Sequence, residues 1–110
     1  MTREKSIYEL QAEICKILAS PKRLEIITAL KEGEKTVTEI VDILGIPKPN
    51  ASQHLALMRH KGLLKSRREG VNIYYSIANP KVIQACGLMR EVLSDILGER
   101  HKLASFMTRG

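Results

Sequence analysis

Only three residues, Gly45, Ile46 and Pro47, separate two helical patterns in this chain of 110 residues, and so short a connection leaves few ways to fold. Upstream, Val37, Ile40, Val41 and Leu44 recur at i, i+3, i+4 and i+7, the apolar stripe of an amphipathic helix. Thr36 and Glu39 open that stripe as Thr-x-x-Glu, the reciprocal cap of a helix start. Gly45 follows as the glycine that ends a helix. Downstream, Ala51, Leu55 and Met58 share one face of a second helix. Helices joined this tightly cannot run back antiparallel; they cross steeply, which is the helix-turn-helix arrangement, here over about residues 36–61.

The second helix of that pair reads PKPNASQHLALMRHKG from Pro47 to Gly62. With Ala51, Leu55 and Met58 turned to a core, Pro49, Gln53 and His60 point away from it, flanked by Asn50 and Ser52. Its first two outward turns are therefore small and hydrogen-bonding, where an ordinary solvated face carries bulky charges. Close approach followed by donors and acceptors is what reading base edges in a major groove requires. Pro47 and Pro49 remove no bonded N–H in a first turn and pre-set φ, so the helix start is rigid, with Lys48 directed outward. The other reading is an ordinary surface helix with an easily formed start. The helix-turn-helix spacing before it and the basic hairpin after it, each weak alone, together favour the groove reading.

That hairpin shows as a change of period. Ile73, Tyr75 and Ile77 alternate with Asn72, Tyr74 and Ser76, predicting a strand with one buried face, and Leu64 to Arg68 pairs with it across a turn at Glu69-Gly70. Lys65, Arg67 and Arg68 lie toward its tip, so the hairpin covers about residues 64–77. Two further helices precede the helix-turn-helix: one over about 6–19, carrying Ile7, Leu10, Ile14, Ile17 and Leu18, and one opened by Ser20-Pro21 and ended by Gly33. A last helix over about 80–97 carries Val82, Ile83, Cys86, Met89, Val92, Leu93 and Ile96, with Gly98 expected to end it and 99–110 left as an unassigned polar tail. The fold expected is thus mostly α with a small β-hairpin, in the order four helices, two strands, one helix. A single domain spans residues 1–110.

Charge and composition bound the function. Eighteen Lys and Arg stand against 12 Asp and Glu, a net +6 spread along the chain, which suits a polyanionic partner but also plain solubility. With 4% aromatic residues the core must be aliphatic, and 44% hydrophobic residues exclude disorder. The charged start, Met1 to Ser6, leads into no apolar stretch of a signal peptide. The longest apolar run, Leu55 to Met58, is far too short for a bilayer. Two cysteines make no disulfide framework, so a cytoplasmic chain with reduced thiols is expected. No phosphate loop, metal-ligand spacing or nucleophile elbow is present, so an enzyme is not expected and no cofactor is implied.

The stretches LASPKRLEIITAL, SQHLALMRHKGLLKSRREG and IYYSI resemble the ArsR/SmtB family of small winged-helix repressors, over roughly Ile14 to Leu97. Ser52, His54 and Leu55, then Gly62 to Leu64, Arg67 to Gly70 and Tyr74-Tyr75 fall in the family's order. The resemblance implies a winged helix-turn-helix homodimer built on the first and last helices. It also implies binding to operator inverted repeats in double-stranded DNA, and release by a metal or thiol-reactive signal. By the same resemblance Lys48, Ser52 and Gln53 sit at base-facing positions; Asn50 flanks them on the outward face, and Lys65, Arg67, Arg68 and Asn72 of the hairpin are the further expected DNA-binding residues. His54 holds the family's histidine position, and two roles stay open for it: a hydrogen-bonded structural residue, or a DNA contact.

The family's sensor templates do not carry over. Its Cys-Val-Cys site reads Thr36-Val37-Thr38, and hydroxyls do not replace soft thiolates. Its zinc positions read Asn79, Lys81, Val92 and Asp95, and its sulfide-sensing cysteines fall at Thr28 and Ser94, so no metal site is expected. Cys15 and Cys86 remain as candidate sensor thiols on the apolar faces of the two outer helices, or as small hydrophobes packed there. Two other functions stay open: a winged-helix module that binds protein, to which Leu57 lends support as an exposed leucine, and a constitutive DNA-binding protein without an effector.

Overall fold

A computed structural model of the chain describes the backbone of residues 4–109 and the side chains of residues 4–102. It forms two compact units, one within Met1–Pro80 and the other within Lys81–Gly110.

The first unit holds four helices and a small sheet: α1 (Ile7–Leu18), α2 (Pro21–Leu30), β1 (Lys35–Thr36), α3 (Val37–Leu44), α4 (Lys48–His60), β2 (Leu64–Glu69) and β3 (Asn72–Ile77). Each helix start is written in the sequence. Ser6 and Ser20 accept from the N–H of Glu9 and Arg23, at 3.1 and 3.4 Å, and Pro21 occupies the first turn of α2. At α3 the capping box closes in both directions: Thr36 Oγ1 accepts from the Glu39 N–H at 3.2 Å, and the Glu39 carboxylate accepts from the Thr36 N–H at 3.0 Å. Gly45 then stops α3 with φ 67°, its N–H donating to Val41 at 2.8 Å, a left-handed turn that glycine takes without a Cβ penalty.

Apolar faces of these helices meet in one aliphatic core. Ile26, Ile27 and Leu30 of α2, Ile40 of α3 and Ala51, Leu55 and Met58 of α4 are buried together with Ile17, Leu63, Leu64 and Tyr75. The end of α4 connects that core to the sheet. Leu63 N–H donates to Met58 at 2.9 Å and Gly62 N–H to Arg59 at 3.1 Å, with Gly62 at φ 85°. That Schellman pairing buries Leu63 and Leu64 and launches β2 directly off the end of α4.

The sheet has three strands in the order β1-β3-β2, all antiparallel. β1 was not expected from the sequence. It pairs Lys35 with Tyr75 and Thr36 with Tyr74, and two residues are too few to show any period. The hairpin turn also lies one residue later than expected: Glu69 pairs with Asn72, leaving Gly70-Val71 as the loop. Gly70 takes φ 62° and no other residue type in the described chain has positive φ, which fits a primed turn with glycine first. The alternation of β3 holds only in part, since Tyr75 is buried and Ile77 half-buried while Ile73, near the tip, is 42% exposed.

The second unit is one helix, α5 (Lys81–Arg109). Gly98 does not end it. A helix-interior glycine costs only about 1 kcal/mol relative to alanine, and Gly98 is absent from the glycines with positive φ. Good helix formers follow it, with Lys102 and Glu99 paired at 3.9 Å one turn apart, so the polar tail continues as helix. Val82 and Ile83 are half-buried and Cys86 buried, whereas Leu88, Met89, Val92, Leu93, Ile96 and Leu97 are exposed. Among the described residues no helix is long and apolar enough to cross a membrane.

Candidate nucleic-acid interface

The face of α4 opposite its buried Ala51, Leu55 and Met58 presents Lys48, Pro49, Asn50 and Gln53 to solvent, with Ser52 and His54 half-buried beside them. Pro47 caps the helix by backbone alone. Its carbonyl accepts from Asn50 at 3.0 Å and Ala51 at 3.1 Å, and no side chain bonds the first-turn amides. The start of α4 therefore keeps its partial positive charge, with Lys48 beside it.

His54 is held from behind. The Arg23 side chain, on the first turn of α2, donates from Nε to His54 Nδ1 at 3.1 Å and from Nη1 to the Ile17 carbonyl at 3.2 Å. One guanidinium thus ties α4 to α1 and α2. An imidazole that accepts at Nδ1 is neutral with its proton on Nε2. Burial, and then the Arg23 charge, hold the His54 pKa below its ordinary value. Of the two roles open for His54, the structural one is what this geometry displays.

In the wing, Lys65, Arg68 and Asn72 are exposed on the hairpin beyond α4. Arg68 folds back, its Nε donating to the Gly70 carbonyl at 3.2 Å. Arg67 is committed differently. Its Nε donates to Glu34 at 2.8 Å, its Nη2 pairs with the other oxygen of the same carboxylate, and its Nη1 donates to Glu69 at 2.7 Å. The guanidinium also lies 4.5 Å from the centre of the Tyr74 ring, its cross-strand partner. Arg67 is raised further above its usual pKa by Glu34 and Glu69, and Glu34 is lowered by Arg67. The sequence offered no sign of this brace, because Glu34 lies 33 positions from Arg67 and has no motif around it.

The thiols differ. Cys15 is exposed on α1 and Cys86 is buried on α5, and both are free. Cys15 is therefore not packed as a small hydrophobe by its own chain, whereas Cys86 is covered. Leu57, expected exposed, is half-buried. Among the described residues no group of three or more His, Cys, Asp or Glu is placed to hold a metal ion. Thr36 and Thr38 offer a metal only neutral hydroxyls, and the Thr36 hydroxyl is occupied in the α3 cap, so the residues present do not fit one.

A short helix-turn-helix followed immediately by a basic hairpin defines a winged helix-turn-helix, the class of fold that presents one helix to a DNA groove. Comparison with known proteins narrows the class. The family model described as bacterial regulatory protein, arsR family, matches residues 20–66. The uncharacterized HTH-type transcriptional regulator Rv0081 of Mycobacterium tuberculosis is 36% identical over 95 residues, covering 86% of this chain and 83% of the relative. Its crystal structure superposes with a TM-score of 0.78 at 35% identity, over 88% of this chain and 98% of that one. The transcriptional repressor PagR of Bacillus anthracis is 49% identical over 75 residues, 67% of this chain and 75% of the relative. A Mycobacterium bovis domain, described as a homodimeric winged helix-turn-helix DNA-binding domain, aligns with a TM-score of 0.73 at 30% identity over 86% of this chain and 92% of that one. The chain belongs to the arsR family: it is a DNA-binding transcriptional regulator and not an enzyme.

Proposed function

We propose that this protein is a cytoplasmic repressor, a single functional domain over residues 1–110 that binds an operator inverted repeat as a homodimer. The observation that carries the reading is the outward face of α4: exposed Lys48, Asn50 and Gln53 with half-buried Ser52, on a helix whose first amides no side chain caps. Small hydrogen-bonding groups can approach base edges there, and the uncapped start with Lys48 suits a phosphate. Lys65, Arg68 and Asn72 meet the flanking backbone, Arg67 sets the wing that carries them and reaches phosphate from there, and His54 acts chiefly through Arg23. Exposed Ile7 and Leu10 on α1, and the exposed apolar residues of α5 from Leu88 to Leu97, are the faces a second copy would cover. Exposed Cys15 is open to a thiol-reactive signal, whereas buried Cys86 packs as a small hydrophobe. Loss of DNA binding on diamide treatment in wild type and not in Cys15→Ser tests that assignment.

The central test is sequence discrimination. Gln53→Ala is expected to cost about 1–3 kcal/mol on the DNA upstream of the protein's own gene and little on random DNA, measured by fluorescence anisotropy. Equal losses on both would make Gln53 a backbone contact and remove the groove assignment.

A further inference from the structure

Behind the recognition helix, α1, α2 and α4 leave a cleft of about 320 Å³ lined by Glu13, Lys16, Ile17, Arg23, Leu57 and Lys61. Ile17 and Leu57 form an apolar wall. Three cations stand around it against one carboxylate, and that carboxylate is already taken: Glu13 pairs with Lys5. Neither Lys16 nor Lys61 makes an ion pair within 4.0 Å of a described residue, although Lys61, after Lys5, helps to hold the Glu13 pKa down from a longer distance. Once Lys5 has neutralised Glu13, the cleft keeps an excess of positive charge beside an apolar surface, at a volume where small-ligand sites begin. Its third cation is the Arg23 guanidinium that bonds His54 and Ile17.

We propose that this cleft binds a small amphipathic carboxylate, whose oxygens draw the Arg23 guanidinium away from His54 and so release the hold on the helix that reads DNA. The apolar body of the ligand lies along Ile17 and Leu57, and Lys16 and Lys61 flank its carboxylate. A carboxylate is a stronger acceptor for a guanidinium than a neutral imidazole nitrogen, because the hydrogen bond is then charge-assisted at both ends. The exchange costs the protein one neutral-acceptor bond and gives the ligand a bidentate partner. Its consequence falls on α4, because Arg23 is what ties His54 to α1 and α2. Ligand binding by the cleft stands on its own, while its effect on DNA rests on the role proposed above for α4.

Hexanoate and benzoate serve as probes, with hexanol and hexylamine as controls that keep the apolar body but lose or reverse the charge. Calorimetry on the free dimer is expected to show saturable binding of the two carboxylates, with a dissociation constant of about 1 mM or tighter, and none of either control. Lys16→Gln/Lys61→Gln should lose that binding by about tenfold or more while holding operator affinity, without ligand, within about threefold. In wild type, saturating carboxylate should weaken operator binding, and in the double variant it should not. Absence of saturable binding, or binding that the double variant retains, overturns the site. Binding with unchanged operator affinity overturns the coupling. If the double variant instead loses operator affinity more than tenfold and wild type ignores the probes, the occupant is a DNA phosphate and the proposal is wrong. A wild type that binds the carboxylates but no DNA at all refutes the α4 reading alone.

Discussion

Arg23 and His54 show how much one hydrogen bond can organise. The pair joins residues 31 positions apart and fixes the side of α4 that faces inward, while the opposite side carries Lys48, Asn50 and Gln53. A cycle of Arg23→Ala, His54→Ala and the double variant should return a coupling of about 1 kcal/mol in chemical denaturation, the net worth of one partly exposed hydrogen bond. The pair also sets a pH dependence whose sign is fixed. Burial and Arg23 hold the folded His54 pKa below its ordinary value of 6.5, so the unfolded chain binds the extra proton first. Stability from this residue is therefore present above about pH 6.5, is lost as pH falls below that value, and stops changing once pH passes below the folded pKa. His54→Ala should flatten the stability profile in that window. An unchanged slope would assign it to other groups.

At the level of elements, the hairpin is braced before it meets anything. Arg67 spans Glu34, Glu69 and the Tyr74 ring, tying β2 to the segment that leads into β1. Lys65 makes no such ion pair with a described residue and Arg68 bonds only at the hairpin tip. Arg67→Ala and Lys65→Ala should therefore both weaken DNA binding but differ in what they do to the wing. Losing Lys65 removes a phosphate contact and should lower the slope of log affinity against log salt by about one. Losing Arg67 also frees Glu34 and Glu69, so operator affinity should fall together with wing order, seen as faster amide exchange in β2. Unchanged exchange would make Arg67 a plain phosphate contact. The contrast also shows what the sequence made legible. Caps, glycine stops and the helix-turn-helix spacing depend on residues within a turn of one another, so Thr36, Glu39 and Gly45 could be read directly. β1, the Arg67 brace and the Arg23 tie depend on partners brought together only by folding, and a two-residue strand has no pattern of its own. Gly98 misled for the opposite reason: a local stop signal was outweighed by the helix formers beyond it.

For the whole molecule, association and DNA binding should be a single linked problem. α1 exposes Ile7, Tyr8 and Leu10, and α5 exposes Leu88, Met89, Val92, Leu93, Ile96 and Leu97, a run of apolar side chains unusual for a surface helix in water. Covering such faces in a homodimer would bury apolar area at about 25 cal/mol per Å², and any stability gained that way follows mass action. The melting temperature should rise with protein concentration. Leu93→Glu, which places a charge in the middle of the exposed α5 face, should give a monomer in sedimentation and abolish that dependence. The same variant separates the two levels of DNA recognition. A dimer places two copies of α4 and two wings on one duplex, so its affinity for an inverted repeat should fall steeply with salt, in proportion to the phosphates neutralised. The monomer keeps one copy of each, so its slope should drop to about half while each α4 still prefers a half-site over random DNA. A monomer with the full slope would mean that one wing and one helix already make every phosphate contact. The inverted repeat would then have no physical basis in this chain.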